Sequence, residues 1–286
     1  MSNLKIFIDL TRLNKPIGFM LLFWPCSWGL AYAYLYNQNL NLFIYYFILF
    51  FLGSVLMRSA GCIFNDIVDK DYDKKISRTK VRPIASGKIT VKRSLIYVFI
   101  LCLFAFLILL QFNFFTILLG MGSMLLAFSY PFMKRITYWP QLFLGITFNW
   151  GIIMAWTAIN YDITAEILIL YLSAIFWTLG YDTIYGAQDM YEDEIIGLKS
   201  TSLKFKKNIK LFVAFSYTAS FLLISYLFKN DLGMNLFSII LLIFILSLIY
   251  QLFKFEEKKP IECLKMFKLN NFSGFLLFLG ILSINF

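Results

Sequence analysis

Long apolar runs separated by short polar segments make up most of this chain. Several of the runs reach the roughly 20 residues that a helix needs to cross about 30 Å of hydrocarbon. The short alternating segments typical of membrane β-strands are absent. The pattern therefore predicts an all-α integral membrane bundle of nine transmembrane helices, at about residues 17–36, 42–64, 94–110, 114–132, 140–159, 165–184, 209–228, 233–253 and 269–286.

Only Gln111, Phe112 and Asn113 separate the third and fourth predicted spans. A connection this short predicts a tight antiparallel hairpin if both segments span. No soluble domain or Pro/Gly-rich linker interrupts the series of runs, so residues 1–286 are predicted to form one polytopic membrane domain.

Basic residues are concentrated in the segments that precede the odd-numbered spans. The loops on the opposite side contain one basic residue, Lys229, together with Asp162, Glu166 and Asp231. The positive-inside rule then predicts a cytoplasmic N-terminus. It also places the two acidic loops, which follow the second and sixth spans, on the cytoplasmic side.

Composition narrows the chemistry. The chain has 286 residues, 60% of them hydrophobic, and a mean hydropathy of +0.74. It contains no histidine, which excludes histidine-based acid–base chemistry and most transition-metal sites. The four cysteines form no Cys-x-x-Cys pair, so neither a disulfide framework nor a zinc site is indicated. We therefore expect any bound metal to be hard and oxygen-ligated.

The formal net charge of +10 is typical of membrane topology and of contact with anionic lipid headgroups. We accordingly expect the lipid bilayer as a partner and no nucleic acid, and no obligate protein partner is evident. The N-terminal residues show neither a cleavable signal nor a transit-peptide pattern. This favours a bacterial inner membrane, with multiple passes, over an organelle.

Four carboxylates lie within eight residues at the end of the second apolar run. Charges at the membrane edge are costly unless they are paired, so such a cluster calls for a cation. On a helix, Asp66, Asp69 and Asp73 share one face because they are three and four residues apart, whereas Asp71 points elsewhere. The shared face is a candidate Mg²⁺ site.

A second acidic segment follows the sixth span. Asp189 and Asp193 are neighbours on one helical face, and Asp182 lies seven residues before Asp189. Glu192 and Glu194 are interpreted as a solvated loop. Two opposed carboxylate faces suit a pair of Mg²⁺ ions with a diphosphate between them, since Mg²⁺ binds through a few carboxylates plus substrate phosphates.

Basic side chains follow each acidic cluster. About half of them are explained by topology alone, but Arg78, Arg82 and Lys199 are candidates for direct phosphate contact. Asn65, adjacent to the first cluster, is a further substrate-binding candidate.

Two arginines have alternative interpretations. Arg58, inside the second span, either forms a structural ion pair with Asp66 or snorkels, or it supports the site and binds an anion. Arg135 either anchors a helix end at the interface or holds a substrate carboxylate bidentately.

Several motifs follow one another along almost the whole chain. They are Arg12 to Gly18, Trp24-Pro25, Arg58 to Asp73 with the signature Asn-Asp-x-x-Asp-x-x-x-Asp, Arg82-Pro83, Ser86-Gly87, Tyr130 to Arg135, Pro140-Gln141, Tyr181 to Thr201 and Asn270-Asn271-Phe272. In this order they resemble the UbiA-type membrane prenyltransferases. The segments that begin at Tyr130 and Tyr181 resemble the 4-hydroxybenzoate polyprenyltransferase branch of ubiquinone biosynthesis.

The resemblance implies Mg²⁺-dependent transfer of a polyprenyl group from polyprenyl diphosphate to a ring carbon of 4-hydroxybenzoate. The products would be 3-polyprenyl-4-hydroxybenzoate and diphosphate. It also implies catalytic and metal-binding roles, with Asp66, Asp69, Asp73, Asp189 and Asp193 as Mg²⁺ ligands. Asp182 or Asp189 would orient the phenol, and Arg135 would hold the carboxylate.

Two positions depart from the family pattern. Asn14 stands where the family commonly has Asp, and Met190 stands where it has a basic residue. The first change removes a carboxylate that would orient Arg12 or Lys15, so neither is assigned a role.

Two alternatives remain from the sequence. A sibling prenyltransferase acting on a naphthoate, homogentisate, haem or a sugar donor would share the aspartates but not necessarily Arg135. A membrane anion transporter is less favoured, because the ionisable residues gather at one membrane face rather than at the midplane.

Overall fold

The structure, a computed structural model, describes residues 3–285. This part of the chain forms thirteen α-helices: α1 (Asn3–Thr11), α2 (Ile17–Asn37), α3 (Leu40–Val68), α4 (Lys70–Asp73), α5 (Val91–Leu109), α6 (Phe114–Ile136), α7 (Pro140–Asn160), α8 (Ala165–Gly186), α9 (Met190–Ile195), α10 (Thr201–Lys204), α11 (Ile209–Leu227), α12 (Leu236–Lys254) and α13 (Pro260–Ser283).

Nine helices between residues 3 and 285, all except α1, α4, α9 and α10, are long and apolar enough to cross a membrane. This number confirms the predicted nine spans. The largest boundary differences are at α3 and α6, which continue four residues beyond their predicted ends to Val68 and Ile136, and at α13, which begins at Pro260 instead of 269. The predicted last residue, Phe286, lies outside the described residues.

Polar residues between the apolar runs start several of the long helices. The side chain of Asn39 accepts a hydrogen bond from the backbone N–H of Leu42, and Thr90, Asn113, Thr164 and Asn235 cap their helices in the same way. Such caps satisfy N–H groups that have no partner within the first turn. Short polar interruptions in the sequence therefore set where each helix begins.

Helix α2 lies in the interior of the bundle and packs against α3, α7 and α13. A Cβ atom on Gly29 would lie 2.6 Å from the carbonyl oxygen of Ile152, so only glycine permits this approach of α2 to α7. Beside this contact, the fully buried indoles of Trp28 and Trp177 pack with ring centroids 4.8 Å apart. The centre of the bundle is therefore a closely packed aromatic core.

A buried polar network joins α8, α11, α12 and α13. The indole of Trp177 donates to Asn270 Oδ1 at 2.9 Å, and the amide of Asn270 donates to Gln251 Oε1 at 2.7 Å. The hydroxyl of Tyr217 donates to the same Gln251 oxygen at 2.8 Å. Because these groups are shielded from water, their mutual hydrogen bonds specify how the four helices pack.

The predicted tight hairpin between the third and fourth spans is wrong. Helix α5 packs mainly on α3, whereas α6 packs mainly on α7. The amide of Asn113, which caps α6, donates to the carbonyl oxygens of Thr157 and Ala158 on α7, at 2.8 and 3.2 Å. The start of α6 is thereby tied to α7, and Phe106 of α5 and Met121 of α6 line a cavity.

Candidate active site

The first acidic segment forms the end of α3, the junction that follows it, and α4. Asp66, Asp69 and Asp73 are almost completely buried, with residue exposures of 1%, 0% and 3%. Asp71 points away, as predicted, and forms an exposed ion pair with Lys74 at 3.0 Å. The helical spacing in the sequence thus separated the three inward carboxylates from the outward one.

Each inward carboxylate of this segment is paired with at least one basic side chain, either from the loop that follows the segment or from distant parts of the chain. Asp66 Oδ1 accepts from the guanidinium of Arg12 at 2.5 Å and from that of Arg82 at 3.0 Å. Arg82 also donates to Asp73 Oδ2 at 2.8 Å. Burial raises the pKa of Asp73, and the Arg82 guanidinium opposes that rise.

Asp69 is bound from three directions. The ammonium of Lys134 and the guanidinium of Arg135, at 3.0 Å, donate to its two oxygens. The side-chain amide of Asn65 donates to Asp69 Oδ2 at 3.0 Å. The segment therefore carries its charge in a dense ion-pair network that joins α1, α3, α4, α6 and the 74–90 loop.

The second acidic segment comprises the end of α8, a turn, and α9. Arg78 donates to both oxygens of Asp189, through Nε at 2.9 Å and through Nη2. The backbone N–H of Ser77 donates to Glu192 Oε2 at 3.0 Å, which adds a second link from the 74–90 loop to α9. Glu192 therefore has a structural contact, although the sequence suggested a solvated side chain.

Asp193 differs from the other four predicted metal ligands, because no basic side chain of residues 3–285 forms an ion pair with it. Burial, together with the nearby carboxylate of Asp189, raises the pKa of Asp193 to about 7. A bound cation would relieve both effects.

A cavity of about 110 Å³ lies between the two acidic segments. Four of the five predicted metal ligands line it, namely Asp69, Asp73, Asp189 and Asp193. Asp66 is not among the lining residues. The structure thus brings the two segments together around a volume lined by four carboxylates and four basic side chains, the latter being Arg78, Arg82, Lys134 and Lys199. Carboxylate oxygens are ligands that Mg²⁺ prefers.

Within residues 3–285, no group of three or more aspartate, glutamate or cysteine side chains is placed so that it could hold a metal ion by itself. Mg²⁺ keeps several waters and binds through a few carboxylates plus substrate phosphates, and the carboxylates of Asp69, Asp73, Asp189 and Asp193 that line the smaller cavity are oxygen donors of this kind. The donor set therefore fits Mg²⁺.

A larger cavity, of about 1490 Å³, continues from the charged groups into the bundle. Both Asp66 and Phe50 of α3 line it. Sixteen residues of helix separate them, which corresponds to about 24 Å along the helix axis. Away from the carboxylates the lining is apolar and includes Phe106, Met124 and Met154. One cavity therefore joins a polar site to a long apolar compartment.

Arg58 and Asp182 both line this larger cavity. The guanidinium of Arg58 lies 5.2 Å from the ring centroid of Phe148, and its Nε atom is buried without a hydrogen-bond partner. The predicted structural ion pair between Arg58 and Asp66 is not formed. Asp182, 9% exposed, is the carboxylate of α8 closest in sequence to the polar end of the cavity.

The guanidinium of Arg135 is bound by groups of the protein itself. Its Nη2 atom donates to Asp69 and to the carbonyl oxygen of Val68 at 2.8 Å, and its guanidinium lies over the rings of Tyr72 and Phe132. Arg135 is not among the described residues that line either cavity. Its donors are used to stabilise the junction of α3 and α4, so the predicted contact with a substrate carboxylate is not supported.

Among the predicted phosphate-binding residues, Arg78, Arg82 and Lys199 line both cavities, as does Asn65. The ammonium of Lys199 donates to the carbonyl oxygen of Ile136 at 3.1 Å and remains half-buried at the site. These four side chains therefore lie between the two acidic segments, and direct phosphate contact remains a prediction.

Two further cations, Arg12 and Lys134, were not assigned to the site from the sequence. Arg12 has a positive φ of 57°, an uncommon backbone conformation for a residue other than glycine, and it lines the larger cavity. Lys134 lines both cavities. The only signal for Arg12 in the sequence was its position in the first motif, where Asn14 had weakened the match.

The fold and the site together define a multi-pass membrane protein in which a charged site opens into a long apolar cavity. Residues 22–276 match the model of the UbiA prenyltransferase family. The chain therefore belongs to this family and is a membrane prenyltransferase.

Relatives and solved structures agree with this assignment. The chain is 40% identical to the mitochondrial 4-hydroxybenzoate polyprenyltransferase of Bos taurus, over 97% of this chain and 75% of that protein. It is also 40% identical to the 4-hydroxybenzoate octaprenyltransferase of Psychromonas ingrahamii, over 97% and 95% of the two chains.

The fold is shared with solved UbiA homologues. The apo structure of a homologue from Aeropyrum pernix K1 has a TM-score of 0.76 at 23% identity and covers 92% of this chain and 96% of that one. A homologue from Archaeoglobus fulgidus bound to GPP and Mg²⁺ has a TM-score of 0.69 at 14% identity, over 98% and 99% of the chains.

Proposed function

We propose that this protein is a 4-hydroxybenzoate polyprenyltransferase of ubiquinone biosynthesis. It transfers a polyprenyl group from polyprenyl diphosphate to the ring carbon next to the hydroxyl of 4-hydroxybenzoate and releases diphosphate. The observation that carries the proposal is the continuous cavity, which joins a cluster of carboxylates and cations to a long apolar compartment. The 40% identity to relatives of this activity over nearly the whole chain supports the choice of acceptor.

The polar end of the cavity would bind the diphosphate. Asp69, Asp73, Asp189 and Asp193 would hold Mg²⁺, which would supply positive charge to the departing diphosphate oxygens. The homologue solved with GPP and Mg²⁺ supports the use of this metal. Asp66 was predicted as a further ligand, but its pairing with Arg12 and Arg82 suits a supporting role in the site.

Five cations surround the same position and would contact phosphate oxygens directly: Arg12, Arg78, Arg82, Lys134 and Lys199. Most of them are paired with carboxylates of this chain. Binding of a magnesium diphosphate would therefore exchange partners, since phosphate oxygens would take the cations while the metal took the carboxylates. Asn65 would hold the Asp69 side chain in place during this exchange.

The apolar compartment would hold the polyprenyl tail. At about 24 Å of helix length along α3, it can enclose several isoprene units. Its lining of aromatic and methionine side chains makes burial of a hydrocarbon tail favourable. Water is excluded there, which protects the allylic cation that forms when the carbon–oxygen bond to diphosphate breaks.

The acceptor ring would lie between the polar end and the tail. Arg58 has no carboxylate partner and would bind the carboxylate of 4-hydroxybenzoate in place of Arg135. Asp182, in the same cavity, would accept a hydrogen bond from the phenol and increase electron density on the ring. Asp189 is less suited to this role because both of its oxygens are bound by Arg78.

Bond formation would take place between the allylic carbon and the ring carbon next to the hydroxyl. That ring carbon then loses its proton to a carboxylate or to the diphosphate, which restores aromaticity. With no histidine in the chain, oxygen bases are the available acceptors.

We also infer that the polar end of the bundle and the N-terminus lie on the cytoplasmic side of a bacterial inner membrane, with residues 1–286 as one domain. The basic segments support the orientation through the positive-inside rule. Relatives of both bacterial and mitochondrial origin are similarly identical, so fractionation of the native cells is the direct measurement of location.

The decisive assay uses purified protein in lipid nanodiscs with radiolabelled 4-hydroxybenzoate and a polyprenyl diphosphate. We expect a prenylated product with Mg²⁺ and none after chelation by EDTA. Absence of product with Mg²⁺, or product undiminished by EDTA, would contradict the proposal. Parallel reactions with a naphthoate and with homogentisate separate the sibling activities, and anion uptake into sealed vesicles tests the transporter alternative.

A further inference from the structure

The guanidinium of Arg58 is unusual among the site cations. In the part of the chain that the structure describes, Arg12, Arg78, Arg82, Lys134 and Arg135 each form an ion pair with an aspartate. Lys199 forms no ion pair but donates to the carbonyl oxygen of Ile136, whereas Arg58 forms no ion pair and its buried Nε atom has no acceptor. A cation in the interior of a helical bundle is costly without a partner, so the surroundings of Arg58 must fix it in another way.

Two residues from different helices contact this side chain. The ring of Phe148 on α7 has its centroid 5.2 Å from Arg58 Cζ, within the range of a cation–π interaction. On α2, a Cβ atom added to Gly18 would lie 2.9 Å from Arg58 Nε and 3.5 Å from Nη2. Because Gly18 has no side chain, the guanidinium of Arg58 can occupy the space next to it. Phe148 presents the electron-rich face of its ring to the same guanidinium.

These contacts matter because two carboxylates that could pair with Arg58 line the same cavity. Asp66 and Asp182 both line it, and an arginine released from the aromatic ring would be free to turn toward either carboxylate. An internal ion pair of this kind would compete with an incoming anion. Holding the guanidinium on a neutral ring keeps its N–H donors available.

We propose that Phe148 and Gly18 are positioning residues that hold Arg58 in an unpaired state, ready to bind the carboxylate of the aromatic acceptor. The inference rests on the proposed role of Arg58 in acceptor binding and deepens it. It assigns acceptor affinity to two residues that carry no charge. Neither residue lines the smaller cavity between the two acidic segments, so we expect the effect of replacing them to be specific to the acid.

The test compares 4-hydroxybenzoate with its neutral amide, 4-hydroxybenzamide, by calorimetric binding to the full-length protein in nanodiscs. The variants are Phe148→Leu, which removes the aromatic face, Phe148→Tyr, which keeps it, and Gly18→Ala, which adds the methyl group next to Nε. Alanine is more favourable than glycine within a helix, so Gly18→Ala does not weaken α2 itself. Phe143→Leu, on α7 but not among the residues lining the cavity, is the matched control.

We expect the wild-type protein to prefer the acid over the amide. Phe148→Leu and Gly18→Ala should reduce affinity for the acid by about 2- to 30-fold, the range of a cation–π contact, and leave affinity for the amide nearly unchanged. Phe148→Tyr and Phe143→Leu should behave like wild type. In turnover, the same two defective variants should raise KM for the acid without changing KM for the polyprenyl diphosphate.

Three results would overturn the inference: no preference for the acid in the wild-type protein, equal loss of acid and amide binding in Phe148→Leu, or equal effects of leucine and tyrosine at position 148. These binding measurements do not depend on catalysis. Acid-selective binding that follows the expected series without any prenylated product would therefore support the positioning role and contradict the proposed function.

Discussion

The two acidic segments of the site have similar composition but opposite electrostatic states. In the first, the carboxylates of Asp66, Asp69 and Asp73 are buried and each is bound by at least one cation. In the second, Asp189 is paired with Arg78, but Asp193 has no ion-pair partner within residues 3–285 and its pKa is raised to about 7. Burial of charge is compensated in the first segment and incompletely compensated in the second.

This difference separates structural carboxylates from those that are ready for a ligand. Removing one member of a compensated network leaves the remaining charges buried and unpaired, which costs stability. Removing an uncompensated carboxylate has no such cost and affects only the cation that would bind there. The first segment thus contributes ion pairs that stabilise the polar end of the bundle, whereas Asp193 of the second segment has no ion-pair partner among residues 3–285.

The largest effect is expected for Asp69→Asn. The substitution leaves Lys134 and Arg135 without their common partner, so we expect a loss of stability of about 3 kcal/mol and a fall in turnover of at least about 100-fold. Thermal unfolding in nanodiscs and the radiolabel assay measure the two quantities. Loss of activity with unchanged stability would contradict the structural part of the comparison.

The Asp193→Asn variant should distinguish the role of the second acidic segment from that of the first. We expect the Mg²⁺ concentration for half-maximal rate to rise by about 10-fold or more, while stability in EDTA at pH 8 is unchanged or higher. The sign follows from the raised pKa, because above about pH 7 the folded protein contains a buried ionised carboxylate that the amide replaces.

The stabilising effect of Asp193→Asn should decrease as the pH falls from about 7 and disappear only below about pH 4, where the carboxyl group is protonated in both the folded and the unfolded protein. Asp189→Asn is the control for a paired carboxylate, and we expect it to lower stability in EDTA because Arg78 is left without a partner. Equal stability changes for the two variants would contradict the distinction between paired and unpaired sites.

Arg58 and Arg135 allow the same comparison between an unpaired and a paired cation. Arg58→Ala should raise KM for 4-hydroxybenzoate by about 10-fold or more with little change in thermal stability, because the unpaired side chain makes few contacts. Arg135→Ala should lower stability by about 1–3 kcal/mol and leave the ratio of the two KM values unchanged. An acid-specific KM effect of Arg135→Ala alone would restore the original prediction from the sequence.

The smallest effect is expected for Asp71→Asn. This carboxylate belongs to the first segment, but its side chain is 84% exposed and pairs only with Lys74. We expect stability within about 0.5 kcal/mol of wild type and unchanged Mg²⁺ dependence. A clear defect would mean that the acidic character of the segment matters more than the face on which each carboxylate lies.

Much of this site was predictable because it depends on local spacing. Residues three and four apart on a helix share a face, so the separation of Asp69 from Asp71 followed from the sequence alone. The partners of these carboxylates were not predictable in the same way. Arg12 meets Asp66 across 54 residues, and Lys134 meets Asp69 across 65. Nothing in the local pattern distinguishes such contacts from the basic residues expected at a membrane surface.

The sequence by itself determined the membrane class, the nine spans, the inward carboxylates and the exclusion of histidine chemistry. These follow from hydropathy, helical periodicity and composition, which are properties of short segments. Only the tertiary structure decided that α5 and α6 diverge around a cavity, that Arg135 is used in an internal network, and that Arg58 remains unpaired. These outcomes depend on how helices that are distant in sequence pack, because that packing decides which basic side chain lies within reach of a given carboxylate.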